Sequence, residues 1–170
     1  MDAEQRREEM LRLLTNASGP VVARALAEKF DVSRQVIVGD IALLRASGED
    51  IYSTPKGYVM RQTEAEGVTT QLVCLHSREE TREELYTIVD TGCEVLDVIV
   101  EHPLYGVIRG DLNISSRLEV DDFMAELDET ETSLLSALTH GIHTHTVRGK
   151  DLATLNKLRE TMKEKGFLYE

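Results

Sequence analysis

The chain has no tryptophan, three prolines, three phenylalanines and only two cysteines. Each scarcity excludes something. Two cysteines cannot build the disulfide framework of a small secreted domain. Cys74 and Cys93 lie in apolar strand-like or turn contexts and read as reduced, partly buried thiols. No apolar run approaches the roughly 18 residues that a membrane-spanning helix needs. The start, Met1-Asp2-Ala3-Glu4, is too acidic and polar for a signal peptide, so the expected address is the cytoplasm and no membrane partner is expected. A glycine-rich phosphate loop, a cysteine-rich zinc pattern and a serine nucleophile motif are also missing. The chain is therefore not expected to be an enzyme.

What is present is charge, unevenly spread. The 170 residues carry a formal net charge of -12. Residues 1–62 hold nine Lys/Arg and nine Asp/Glu, whereas residues 63–170 hold ten and twenty-two. That break, with a length suiting one small and one medium domain, predicts a first domain over 1–62, a linker over 63–70 and a second domain over 71–170. A neutral head remains compatible with DNA, because the distribution of charge matters more than its sum.

The first third reads as a winged helix-turn-helix. Met10, Leu11, Leu13 and Leu14 have helical spacing. Pro20 can open a second helix over Val21–Phe30, with Val22, Ala25, Leu26 and Phe30 as its apolar residues. Ser33 is a good N-cap for a third helix to about Ala46, with Val36, Ile37, Ile41 and Leu44 as its buried stripe. Asp31 stands where the sharp turn between helices often needs a positive φ, which Asp tolerates. The capped helix then presents Ser33, Arg34, Gln35 and Val38 toward double-stranded operator DNA, as a recognition helix does. Gly39, mid-helix, is a departure that costs about 1 kcal/mol of helix stability. Beyond it, Ile51–Ser53 and Tyr58–Met60 flank Thr54-Pro55-Lys56-Gly57, a ribbon with a basic tip at Lys56.

The second part mixes strands and helices without a regular βαβ rhythm, so the expected class is α+β. Strands are expected over Gln71–Leu75, Glu94–Val100, Val107–Ile114 and Ile142–Val147, with a short one over Gly166–Tyr169. Helices are expected from the capping box Ser77-Arg78-Glu79-Glu80 to about Thr91, over Val120–Glu129 and over Asp151–Lys165; Leu134–Leu138 is ambiguous. All five histidines fall in this part. His143 and His145, two apart on a strand, share one face and form half of a transition-metal site. His76 and Glu84 can complete an N3O shell suited to Ni, Zn, Fe(II) or Co rather than Mg or Ca. Paired strand histidines are also common as plain surface residues, and Glu84 sits in a charge run with Glu80 and Glu83.

These residues resemble the niacin-responsive transcriptional repressors that join a winged helix-turn-helix to a three-histidine (3H) domain. The general carriers are Ser33-Arg34-Gln35, Asp40 to Ala46 and Gly48 to Tyr52. The specific ones are His76, Asp97 to Gly106 and Leu138 to Thr146. The resemblance implies a homodimer repressing genes of niacin uptake and NAD biosynthesis, with nicotinic acid as co-repressor. It implies an HPr-like α+β second domain and a divalent metal held by residues matching His76, Glu84, His143 and His145. Glycine would be commoner at position 140, where this chain has histidine. His102, Tyr105 and Arg109 are expected to line the effector pocket, Arg109 as the carboxylate partner. Two rivals are a repressor that senses the metal itself and a metal-dependent hydrolase with Glu84 or Glu101 as general base.

Overall fold

The computed structural model describes residues 1–60, 66–130 and 133–170, and the chain divides into two compact units, 1–64 and 65–170. In the first unit, helices α1 (Ala3–Asn16), α2 (Ala23–Phe30) and α3 (Arg34–Ala46) are followed by an antiparallel hairpin of β1 (Ile51–Thr54) and β2 (Gly57–Met60). Met10, Leu14, Leu26, Ile37, Ile41, Leu44 and Ile51 form its core. Asp31 adopts the left-handed conformation (φ 52°) as the α2 cap, and the Ser33 hydroxyl accepts from the Val36 N–H to start α3.

Two expectations for this unit need correction. Pro20 does not open α2, which begins at Ala23 after a cap at Val22. Val21 instead exchanges two backbone hydrogen bonds with Tyr58, of 3.0 and 2.8 Å, adding an extended arm to the wing. Gly57 permits this approach: its φ is +127°, and a Cβ there would lie 2.5 Å from the Val21 carbonyl. The buried stripe of α3 is Ile37, Asp40, Ile41 and Leu44, whereas Val36 is exposed. Asp40 replaces an apolar residue in that stripe because Arg6 neutralises it, with Nε–Oδ2 at 2.6 Å and Arg7 at 3.6 Å.

The second unit runs β3 (Val68–Leu75), α4 (Thr81–Asp90), β4 (Glu94–His102), β5 (Gly106–Ile114), α5 (Arg117–Glu129), β6 (Ile142–Gly149) and α6 (Leu152–Glu164). Short 3-10 turns occupy Arg78–Glu80 and Leu135–Thr139. The strands form one antiparallel sheet in the order β3-β6-β4-β5. The helices pack on one face, which is the open-faced arrangement expected of an HPr-like fold. Leu72, Leu85, Ile88, Val95, Ile114, Val120, Val147, Leu158 and Met162 fill the space between the layers.

Several bounds differ from expectation. Residues 63–65 of the expected linker lie outside the described residues, and β3 already pairs with β6 from Val68. Helix α5 starts at Arg117, because the Ser116 hydroxyl accepts from the Glu119 N–H. The expected last strand is a single bridge, Cys74 to Leu168. Leu75 N–H donates to Phe167 O and Tyr169 N–H to Val73 O, so the chain end satisfies the outer edge of β3. No helix among the described residues is long and apolar enough to cross a membrane.

Candidate metal centre

The alternation of β6 aims His143, His145 and Val147 at the helix layer, and all three are buried. Cys74 on β3 lies opposite His143, so the strand delivers His76 next to the pair just as it ends. Gly141 fixes this junction: its φ is +98°, and a Cβ there would meet the His76 carbonyl oxygen at 2.8 Å. Helix α4 then brings Glu84, 1% exposed, under the three rings. The rings meet edge to face, His76 to His143 at 4.8 Å and His143 to His145 at 4.7 Å, and Phe167 covers His76 from outside.

All three Nε2 atoms converge on one carboxylate. His143 Nε2 is 2.8 Å from Glu84 Oε2, His145 Nε2 is 2.7 Å from Oε1, and His76 Nε2 contacts Oε2. Each Nδ1 faces a main-chain carbonyl: Ser77 O at 2.8 Å for His76, Gly141 O at 2.8 Å for His143, Asp97 O at 2.7 Å for His145. A carbonyl only accepts, so each Nδ1 carries the hydrogen. In a neutral ring Nε2 is then a bare lone pair, aimed at an ionised carboxylate that also has only lone pairs. A positive species must lie between them, either protons on the rings or a metal ion. The donor set of three imidazoles and one carboxylate fits a borderline divalent ion such as Ni, Zn, Co or Fe(II).

The electrostatics agree with that reading. Burial pushes the Glu84 carboxyl up, but the imidazoles, His145 foremost, outweigh it and hold the group well below the usual carboxylate range. Burial opposes charge on His76 and His145 too, yet their contacts with Glu84 raise both. Cys74 was not foreseen as a site residue. Its Sγ, a Glu84 oxygen and a His143 nitrogen lie within 4.8 Å of one another. Burial first, and the Glu84 charge second, push its thiol up, so it stays protonated without a cation nearby. Both cysteines are free and buried, as expected.

Asp97 is the other residue that sequence patterning missed. Strand β4 shifts register against β6 between Val95 and Ile99. That irregularity frees the Asp97 carbonyl for His145 and lets Asp97 Oδ1 accept the Thr146 N–H at 2.9 Å. The bulge thus supplies the acceptor that orients a ring of the cluster.

In the first unit, Ser33, Arg34, Gln35 and Val38 are exposed along the start of α3, and Lys56 is exposed at the tip of the hairpin. A helix capped by Ser33 after a left-handed turn, followed by a hairpin, is the frame of a winged helix-turn-helix.

Comparisons with known proteins agree with both halves. A family model described as an HTH domain matches residues 6–59, and one described as a 3H domain matches residues 69–170. A protein of Thermotoga maritima, described as a probable transcription repressor NiaR, is 41% identical over 167 residues, covering 98% of this chain and 95% of its own length. The transcription repressor NadR of Bacillus subtilis is 38% identical over 166 residues, covering 96% and 92%. This chain belongs to the 3H-domain transcription repressors. Such repressors are DNA-binding proteins rather than enzymes, so Glu84 is not a catalytic base here.

The repressor does not bring the residues expected around the effector to its histidine cluster. Val98 and Gly110 are register partners and face the helix layer, so the neighbouring pair Ile99 and Arg109 faces the opposite side of the sheet. There the Arg109 guanidinium is already bonded to Asp97 at 2.8 Å and to Asp111 at 3.0 Å. His102 Nδ1 accepts from the Leu104 and Tyr105 N–H groups, and Tyr105 is 73% exposed on the turn between β4 and β5. None of the three lines the cavities beside the cluster. Those cavities are walled instead by Val98 and Leu112 of the sheet, Phe123 of α5, and Leu134 and Leu135.

Proposed function

We propose that this repressor is niacin-responsive: nicotinic acid acts as co-repressor, and a divalent metal at His76, Glu84, His143 and His145 holds it in the binding-competent state. The observation that carries the metal is the convergence of three Nε2 lone pairs on Glu84, with every Nδ1 already donated to a carbonyl. A bound metal would neutralise Glu84 and offer an electrophilic position for an outside donor. The protein's own groups do the rest: the carbonyls of Ser77, Gly141 and Asp97 fix the rings, and Phe167 excludes water from His76.

DNA contact is assigned to Ser33, Arg34, Gln35 and Val38 on α3 and to Lys56 on the wing. The neutral charge of residues 1–62 favours two copies acting on two half-sites over one copy alone. The sheet face turned away from the helices exposes Val73, Leu75, Val107 and Ile142, apolar surface suited to pairing the second units of a homodimer.

The test is operator binding by the full chain with nicotinate, nicotinamide and Ni or Zn, for wild type and for His143→Ala combined with His145→Ala. Nicotinate with metal is expected to tighten binding by about 5–150-fold, the usual range of allosteric coupling. The double variant is expected to lose that response. An unchanged nicotinate response in the variant would remove the metal's role. A response to metal without nicotinate would favour the metal-sensing reading.

A further inference from the structure

Thr81 opens α4 three residues before Glu84, on the same face of the helix. It is 6% exposed, and among the described residues its Oγ1 is the buried side-chain polar atom left without any hydrogen-bond partner. Threonines on helices normally discharge this need on the carbonyl four residues back. Thr15, Thr87, Thr91, Thr130 and Thr161 all do so, at 2.7–2.9 Å. For Thr81 that carbonyl is Ser77 O, which already accepts from His76 Nδ1 at 2.8 Å and from the Glu80 N–H at 3.1 Å. Orienting His76 therefore leaves the Thr81 hydroxyl with its proton unspent.

Thr81 lines a small cavity of about 30 Å³ together with His76, Glu84, His143 and His145. That space has room for a group the size of a water or one oxygen of a larger molecule. A wider cavity of about 350 Å³ shares its walls Val98, Leu112, Phe123, Leu134 and Leu135. The shared walls are apolar, and this volume falls in the range of small-molecule sites. No Lys or Arg is among the described residues lining either cavity, and the wider one carries the acidic Glu126. Within these two cavities an organic anion would therefore meet favourable charge only at the inner end, where a metal held by the histidine cluster would lie.

We infer that Thr81 is a specificity-determining residue for the effector. Its hydroxyl donates to the carboxylate of a small aromatic acid whose ring lies between Phe123 and the leucine and valine walls. The inference rests on the metal-anchored reading above and adds the protein group that recognises the acid. It replaces Arg109 as the protein partner of the carboxylate.

The test uses full-length protein and two titrations. Nickel is titrated into metal-free wild type, Thr81→Val and Thr81→Ser; nicotinate is then titrated into each nickel-loaded form, with benzoate and nicotinamide as comparison probes. Thr81→Val keeps the shape of the side chain and is expected to bind nickel within about threefold of wild type. It should lose about tenfold or more in affinity for nicotinate and benzoate alike, the scale of one buried hydrogen bond. Thr81→Ser should restore both. Thr81→Val binding nicotinate as tightly as nickel-loaded wild type would overturn the assignment and leave the metal-anchored reading intact. Equal losses for nickel and nicotinate would overturn it in another way, making Thr81 a support of the cluster. Failure of nickel-loaded wild type to bind nicotinate would overturn both.

Discussion

Each unit of the repressor buries one carboxylate on a helix, and the two are balanced in different ways. Asp40 on α3 faces the guanidinium groups of Arg6 and Arg7, whose charge is permanent. Glu84 on α4 faces three imidazoles, whose charge is conditional. The first arrangement is complete as the chain folds, and it ties α1 to α3. The second is complete only with protons or a metal between the partners. A permanent counter-charge makes a clamp, whereas a conditional one makes a centre that responds to what is loaded into it. The DNA-binding unit carries the clamp and the 3H unit carries the centre.

The sharpest break in that contrast is Glu84→Gln. It keeps the volume and removes the anion, and the expected loss of nickel or zinc affinity exceeds the 10–100-fold that a partner outside the ligand set costs. Calorimetric titration checks it, with the metal-induced rise in unfolding midpoint as a second readout. Retention of wild-type affinity would take Glu84 out of the ligand set and end the contrast with Asp40. Next in size is Asp40→Ala, which strands Arg6 against α3. It should lower the unfolding midpoint of the DNA-binding unit by about 4–8 °C or more while nickel affinity stays unchanged. A midpoint restored by nickel would show that the two carboxylates are not separate devices. Asp97→Ala comes third. Its side chain steadies the irregular stretch of β4 whose carbonyl orients His145, and nickel affinity should fall about tenfold.

The sequence makes the helix-turn-helix legible because its signals are local: a cap at Ser33, a turn at Asp31, a two-residue tip at Pro55-Lys56. The spacing of His143 and His145 is local as well, and it correctly puts both rings on one face. Glu84 cannot be told from Glu80 and Glu83 by spacing alone, since only the packing of α4 on the sheet selects one of them. Asp40, Asp97 and Thr81 escape patterning for a related reason. Each is a polar residue buried by a partner, or an absent partner, that is remote in sequence or on the main chain. Arg109 lies away from the histidine cluster because a β-strand alternates faces. Arg109 is one residue from Gly110, which is enough to put it on the far side of the sheet.

The smallest expected effect probes the exposed charge of the DNA-binding unit, the counterpart of its buried pair. Arg34 and Lys56 are exposed and take part in no ion pair observed among the described residues, unlike Arg6, Arg12 and Arg24. An exposed unpaired cation contributes almost nothing to folding, so Arg34→Ala and Lys56→Ala should leave the unfolding midpoint and nickel affinity untouched. If each sits against a phosphate, each substitution should lower the slope of log affinity against log salt by about one and weaken specific and non-specific DNA alike. Gln35→Ala should differ: a base-reading side chain changes preference among operators more than it changes the salt slope. A salt slope unmoved by Lys56→Ala would withdraw the wing from the interface and leave α3 as the whole reading surface.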